Sequence, residues 1–419
     1  MSVTPASLEL DEVALAVATS NKRVRLGNST QLEATQPPYP LTVVTSDAHL
    51  GANLAGRIDD MVAALGELVN AESPTADPAA CGLCAEVLAG IGERLLGRSP
   101  ERILAGGRVH LRWPARGRAT VALLGHFDTV WPLGTTAGWP FEVRDGVAHG
   151  PGVFDMKAGL VQGLYALAAL RDPDGVEVLF TSDEETGAPS SRDLVEDLGH
   201  RVEAVLVLEP SADGALKVAR KGISMYRLEV NGRASHAGLE PEAGVNALTE
   251  LAHQVLGIAG LAAPELGTTV TPTMAGAGTA MNVVPAHAFA TLDVRALTVA
   301  EQDRVHLALV GLQSPVPGAR IELTGGPDRP PLEKVRSEAL FARARALAIA
   351  NGLGDLQGVT VGGGSDGNLT AAIGTPTLDG LGAVGAGAHA LTEHVVIAEM
   401  PRRASLVALL VADILEVAP

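Results

Sequence analysis

The sequence predicts an α/β protein built on a mixed sheet, interrupted by a smaller inserted α+β unit of βαββαβ, ferredoxin-like order. Three observations carry that expectation. Short apolar runs at Val121–Gly125, Val176–Thr181 and Ala204–Leu208 alternate with helical stretches, the texture of a sheet covered by helices on both faces. Between about 222 and 330 the order changes to strand, helix, strand, strand, helix, strand. After 331 the alternating texture returns. The expected organisation is an irregular N-terminal extension over 1–50, one domain in two segments over 51–221 and 331–419, and the inserted unit over 222–330.

Residues 1–50 show no periodicity and carry the proline-rich QPPYP at 36–40. The opening MSVTPASLELDE is acidic where a secretory signal needs a basic start and then an apolar run, so a cytoplasmic location is expected. From about residue 58, Met61, Leu65 and Leu68 recur at helical spacing, and a second helical pattern covers Glu86–Leu96. Just before it, CGLC holds both cysteines, Cys81 and Cys84. Two cysteines cannot make a disulfide framework and no thioredoxin-like context surrounds them, so they read as small core residues on one helix face. The three apolar strands follow, with helices expected over Asp155–Leu170 and near Ser191–Leu198. In the inserted unit the pattern gives a helix at Val245–Leu261, strands at Thr268–Met274 and Ala288–Val294, a helix at Val299–Leu312 and a strand at Arg320–Leu323. Helices over Ser337–Ala350 and near Met400–Val417 complete the chain.

Composition narrows the function. The 419 residues are 47% hydrophobic and 19% charged, enough for a substantial core, and the formal charge of −17 opposes a phosphate backbone or an anionic membrane. Aromatic residues are only 3%, so platforms for stacking bases are not expected. The uncharged stretch Leu266–Leu292 contains prolines, Asn282, His287 and many Thr and Gly, unlike a membrane span. Neither nucleic acid nor membrane is an expected partner. A small-molecule substrate is.

Ligand sites of open α/β sheets lie just beyond the carboxyl ends of the strands. Polar residues stand there after each apolar run: His126 and Asp128 in GHFDTV, Glu184 and Glu185 in TSDEETG, and Glu209 in LEP. Asp155 in HGPGVFDMKAG and His389 and His394 in GAGAHALTEHV add to them. Carboxylates gathered in one cleft need a cation to remain ionised, and imidazole plus carboxylate without thiolate suits Zn²⁺, with Mn²⁺ or Co²⁺ as substitutes. Asp128, two residues beyond His126 on an extended segment, can accept the other ring N–H and fix the tautomer. Glu184 and Glu185 face opposite ways if their segment stays extended. The glycine-rich VGGGSDGN has no Lys-Ser/Thr after it, so it does not read as a phosphate loop.

The ordered set GHFDTV, GPGVFDMKAG, TSDEETG, VLEP, NGRASHAG, MNVVPA, DVRAL, VGGGSDGN and GAHALTEHV resembles the dizinc aminoacylase/acetylornithine deacetylase/glutamate carboxypeptidase superfamily, most of all its carboxypeptidase G type. The resemblance spans roughly residues 58 to 418. It implies a dizinc catalytic domain with an inserted lid that dimerises, two Zn²⁺ per subunit, and a homodimer. His126 and Glu209 are then implied as ligands of one ion, Glu185 and His389 of the other, and Asp155 as the bridge, followed by a cis peptide. Glu184 takes the general-base role. Taken alone, His236, Asn282 and Arg295 read as a surface imidazole, a turn and an ion pair. The resemblance implies instead that His236 reaches the reacting carbonyl of a neighbouring subunit, and that Asn282 and Arg295 contact a substrate carboxylate. The glutamate-specific relatives carry a lysine shortly before the lid; Lys217 stands near that place but out of register, with Arg220 and Lys221 after it. Arg329 is a further possible carboxylate partner. The implied reaction is hydrolysis of the amide bond of a C-terminal amino acid in a small peptide; alternatives are an aminoacylase acting on an N-acyl amino acid and a catalytically silent metal-dependent binding protein.

Overall fold

A computed structural model describes residues 48–417. The expected irregular extension therefore lies outside the described residues up to residue 47; from Ala48 the chain is already helical, over Ala48–Ala55.

A six-stranded mixed sheet organises most of the chain. Its order is Glu101–Ala105, Arg108–Trp113, Val176–Thr181, Val121–His126, Ala204–Val207 and Thr377–Leu378; Arg108–Trp113 runs antiparallel to both of its neighbours and the other pairs are parallel. Alternation along Val121–His126 shows how both faces are buried. Val121 and Leu123 join the large core beneath helices Ile58–Asn70, Pro78–Leu96, Ala158–Ala169 and Met400–Val417, while Ala122 and Leu124 join a smaller core with Val195, Leu198 and Leu369. A strand buried on both sides reads as a continuous apolar run, which is why these three were visible in the sequence.

Local chemistry sets the helix ends. Pro78–Leu96 opens with Asp77, whose carboxylate accepts the N–H groups of Ala79 and Ala80, has Pro78 in its first turn, and closes on Gly97 in the left-handed conformation. Both cysteines are buried on it, and burial pushes the Cys81 thiol up to about 12, so it is an inert core residue. Helix Ala158–Ala169 packs so closely that a Cβ on Gly159 would sit 2.1 Å from the Leu208 carbonyl oxygen. Only glycine lets the helix press on the segment that carries Glu209.

Residues 222–329 form a separate antiparallel sheet, ordered Thr269–Ala277, His287–Ala296, Gly222–Asn231 and Arg320–Arg329. Helices Ala247–Ala259 and Val299–Val310 cover one face through Leu228, Val230, Leu251, Leu292, Val305 and Leu309. The chain order is the expected strand, helix, strand, strand, helix, strand. Two small sheets were not expected: Leu216–Arg220 with Gly358–Val361, and a four-stranded set from 142–149 and 385–396. Among the described residues no helix is long and apolar enough to cross a membrane.

Candidate metal centre

Three parallel strands end side by side, with His126 opposite Thr181 and the Leu208 N–H bonded to the Leu124 carbonyl. Their ends deliver His126, Glu184, Glu185 and Glu209 to one edge. Asp155 arrives from the turn after Gly152, and His389 from the loop before His394–Val396.

These residues form two groups of three. The donor atoms of His126, Asp155 and Glu209 lie within 4.8 Å of one another, as do those of Asp155, Glu185 and His389. His126 Nε2 is 3.4 Å from Asp155 Oδ1 and 3.5 Å from Glu209 Oε1; His389 Nε2 is 3.5 Å from Asp155 Oδ2 and 3.2 Å from Glu185 Oε2. A tetrahedral ion with bonds of about 2.0–2.1 Å holds its ligands about 3.3 Å apart. Asp155 Oδ1 is buried without a hydrogen-bond partner, His126 Nε2 being too distant to serve well. One carboxylate thus offers one oxygen to each group, and a buried oxygen left unpaired is what a cation would satisfy. The residues fit a pair of metal ions.

The electrostatics agree. Burial pushes the His126 imidazolium down, but Asp128, Asp155 and Glu209 outweigh it and hold its pKa well above the ordinary value. The pocket favours a positive charge at Nε2. His389 is raised to about 9, chiefly by its hydrogen bond to Glu185. Glu209 is held well below the carboxylate range: burial raises it, but Arg220, His126 and Lys217 prevail. Glu184 goes the other way. Its side chain is 12% exposed, and burial, with Asp366 and Glu209 adding to it, lifts its pKa well above the usual value against Arg329 and His126.

Neighbouring groups orient the donors, and here the structure corrects the sequence reading of Asp128. The His126 Nδ1–H donates to the Asp128 backbone carbonyl at 3.0 Å, with the carboxylate at 3.4 Å. That carboxylate instead accepts the N–H groups of Glu184 and Glu185, both at 3.2 Å, and the Thr75 hydroxyl at 2.8 Å. The condition of an extended Glu184–Glu185 segment is not met: residues 184–186 form a helical turn closed by Gly187 in the left-handed region. The two side chains still diverge, Glu185 to His389 and Glu184 to Arg329, which donates to Glu184 Oε1 at 2.9 Å. Glu393, absent from the expected ligand set, accepts the N–H groups of Gly152, Phe154 and Asp155 and the Trp131 indole, and so fixes the Asp155 segment. The Asp155–Met156 peptide is cis. His389 is 52% exposed and sits at φ 62°, a conformation that costs a residue with a Cβ about 1–3 kcal/mol and clusters at functional sites. His394 turns away, its ring 5.8 Å from that of His149.

Lys217 also reaches the site. The strand Leu216–Arg220 carries a bulge at Val218, where Val359 pairs with Lys217 and Thr360 with Ala219. Residues three apart, which a regular strand points to opposite faces, therefore both reach Glu209: Lys217 Nζ at 3.8 Å and Arg220 at 3.0 Å. Arg220 also grips Asp379, and Arg329 stands between Glu184 and Asp366.

The inserted sheet splits its candidates. Arg295 and Arg329 both pair with Ile223, two strands apart, at the end of the sheet nearest Glu184. The Arg295 guanidinium is held by Asp293 at 2.7 and 2.8 Å, the ion pair that the residue alone suggested. His236 and Asn282 lie together beyond the opposite end, where the Ala237 N–H bonds the Asn282 carbonyl. Ten-residue Gly222–Asn231 separates the two ends by roughly 30 Å at about 3.4 Å per residue. The chain does not bring its own His236 to its own metal ligands.

Residues 122–413 match the sequence family described as peptidase family M20/M25/M40. Carboxypeptidase G2 of Pseudomonas sp. (strain RS-16) is 32% identical over 370 residues, 84% of this chain and 89% of that protein. A succinyl-diaminopimelate desuccinylase of Alkalilimnicola ehrlichii is 32% identical over 358 residues, 76% of this chain and 90% of its own length. The fold is similar to that of an M20 family metallo-carboxypeptidase from Sulfolobus solfataricus, with a TM-score of 0.65 at 18% identity, covering 85% of this chain and 100% of the other.

Proposed function

The chain belongs to peptidase family M20/M25/M40 and is a hydrolase of amide bonds, and from that premise we propose that it releases a C-terminal amino acid from small peptides. The presence of Glu184 speaks against the reading as a silent binding protein. Two Zn²⁺ ions would be held by His126, Asp155 and Glu209 and by Asp155, Glu185 and His389; when bound, they would polarise the amide carbonyl and acidify a water. The observation that carries this is the shared Asp155 carboxylate with its unpartnered buried oxygen. Glu184, its pKa lifted by burial, takes the proton of the attacking water and returns it to the leaving amine. Arg329 holds Glu184 by its Oε1 and by its carbonyl, at 2.9 and 3.0 Å. Arg220 and Arg329 are engaged by Glu209 and Asp379 and by Glu184 and Asp366, while Lys217, 3.8 Å from Glu209, places a cation beside the site that suits a substrate whose released amino acid carries carboxylates.

Residues 51–221 and 331–419 form the catalytic domain in this reading, and 222–330 a lid that dimerises, so that His236 and Asn282 of one subunit complete the site of the other. Arg295 and Asn282 bind the substrate carboxylate. The distance of His236 from its own metal ligands supports this arrangement.

A second reading, removal of an N-acyl group from an amino acid, is favoured by the similarity to a desuccinylase. A panel of C-terminal glutamyl and aspartyl dipeptides and N-acetyl and N-succinyl amino acids, given to the zinc-loaded protein with product identification by mass spectrometry, separates the two. Faster release of amino acid from the peptides is expected. Turnover confined to N-acyl amino acids would establish the second reading, and turnover of neither class would overturn both.

A further inference from the structure

Behind the Glu184–Glu185 turn lies a buried hydrogen-bond network whose hub, His110, stands on the edge strand Arg108–Trp113. His110 has no exposure to solvent. Its Nδ1 accepts the Ser182 N–H at 3.3 Å, and its Nε2 lies 3.2 Å from Ser190 Oγ. The Ser190 hydroxyl donates to Asp183 Oδ2 at 2.6 Å, so at His110 it can only accept. One assignment satisfies every atom: a neutral ring protonated on Nε2, donating to Ser190, which donates to Asp183. Asp183 also takes the Ser190 N–H and the Ser191 hydroxyl, both at 2.6 Å. Two residues earlier on the same strand, Arg108 donates to the carbonyls of Ser182 at 3.3 Å and of Thr75 at 2.6 Å. The Thr75 hydroxyl reaches the Asp128 carboxylate, which in turn accepts the N–H groups of Glu184 and Glu185. A ring of hydrogen bonds thus runs from one strand around both sides of the turn, and Ser182, the residue before Asp183, is held at both its N–H and its C=O.

We propose that His110 is a positioning residue: it sets the Asp183–Glu184–Glu185 turn through the Ser182 N–H and the Ser190 hydroxyl, and thereby places both the proton acceptor and one metal ligand. The inference rests on the roles proposed above for Glu184 and Glu185. Imidazole suits the task because it offers an acceptor and a donor on opposite sides of a rigid ring. Asparagine reproduces the Nδ1-side acceptor, and leucine reproduces neither group.

The test compares His110→Leu, His110→Asn and Ser190→Ala, each checked for fold by circular dichroism. Kinetics and competition with a chelator for the two metal equivalents are then measured. His110→Leu is expected to lower kcat about 10–100-fold with KM within about twofold, and to make one of the two equivalents about tenfold easier to strip. His110→Asn should recover most of both losses, and Ser190→Ala should lower kcat to a lesser degree. Wild-type kcat and chelator competition in His110→Leu would overturn the proposal. So would a combined loss of kcat, KM and both metals that asparagine does not rescue, since that marks a role in the fold alone. If His110→Leu does not fold, wild-type kinetics in Ser190→Ala overturn it. Glu184→Gln serves as control: near-normal turnover there would refute the base assignment, while the chelator arm still reports on His110 through Glu185.

Discussion

Replacing Glu184 by glutamine is expected to remove roughly 10²–10⁴-fold of turnover while both metal equivalents stay bound. Glutamine keeps the shape of the side chain and an oxygen for Arg329, but it cannot accept the proton of the attacking water. Glu184 lies outside both groups of metal-ligating donors, so the loss should fall on kcat and not on metal content. The pH dependence adds a sign. A general base works deprotonated, and burial raises the Glu184 pKa, so activity should climb with pH through a limb lying above the ordinary carboxylate range. That limb should vanish in the glutamine variant. Glu185→Gln should behave differently: Glu185 faces His389 and Asp155, and its loss should release one metal equivalent. Steady-state kinetics with metal analysis of both variants checks this. Equal metal content and equal rates in the two would show that the division of roles is wrong.

His236→Ala is expected to cost about 10²–10³ in turnover with metal content unchanged. The geometry supplies the reason. His236 Nδ1 accepts the N–H groups of Gly238 and Leu239, both at 3.1 Å, so the ring proton sits on Nε2, which remains a donor for the oxyanion of the tetrahedral intermediate. Such a contact is typically worth about 3–4 kcal/mol. Roughly 30 Å of strand separates His236 from the Glu184 end of its own chain, so in the proposed arrangement the donor comes from a second copy. Mixing inactive Glu184→Gln and His236→Ala subunits should therefore restore part of the activity, because one site of each heterodimer holds both wild-type residues. Demonstrated heterodimers that remain inactive, or an active monomer, would exclude action across subunits.

Much of this was legible in the sequence, for identifiable reasons. Val121–His126 and Val176–Thr181 are buried on both faces and so appear as unbroken apolar runs, and Met400–Val417 shows itself by its apolar spacing. The residues past the strand ends followed from topology. The edge hairpin Glu101–Trp113 was missed although Gly106 and Gly107, both at positive φ, mark its turn; Arg102, Arg108 and Arg112 break the apolar signal of strands exposed at the sheet edge. His110 was missed with it. Strands of two or three residues, such as Gly385–Ala386 and Val147–His149, are too short to show a period. Other features of the site come from departures from regular geometry that spacing does not show. The bulge at Val218 moved Lys217 into the site, and the turn at 184–186 replaced an extended segment. Spacing alone could not tell whether His126 would bond the Asp128 side chain or its carbonyl.

In the proposed centre five side chains hold two ions through one shared carboxylate. Metal analysis of the purified protein against activity, with stepwise chelation and readdition of Zn²⁺, tests it most directly. Two equivalents per chain at full activity are expected, with activity lost on chelation and regained on readdition, and with Asp155→Asn weakening both equivalents where Glu185→Gln weakens one. Full activity with only trace metal, or an Asp155→Asn variant that loses a single equivalent, would contradict it.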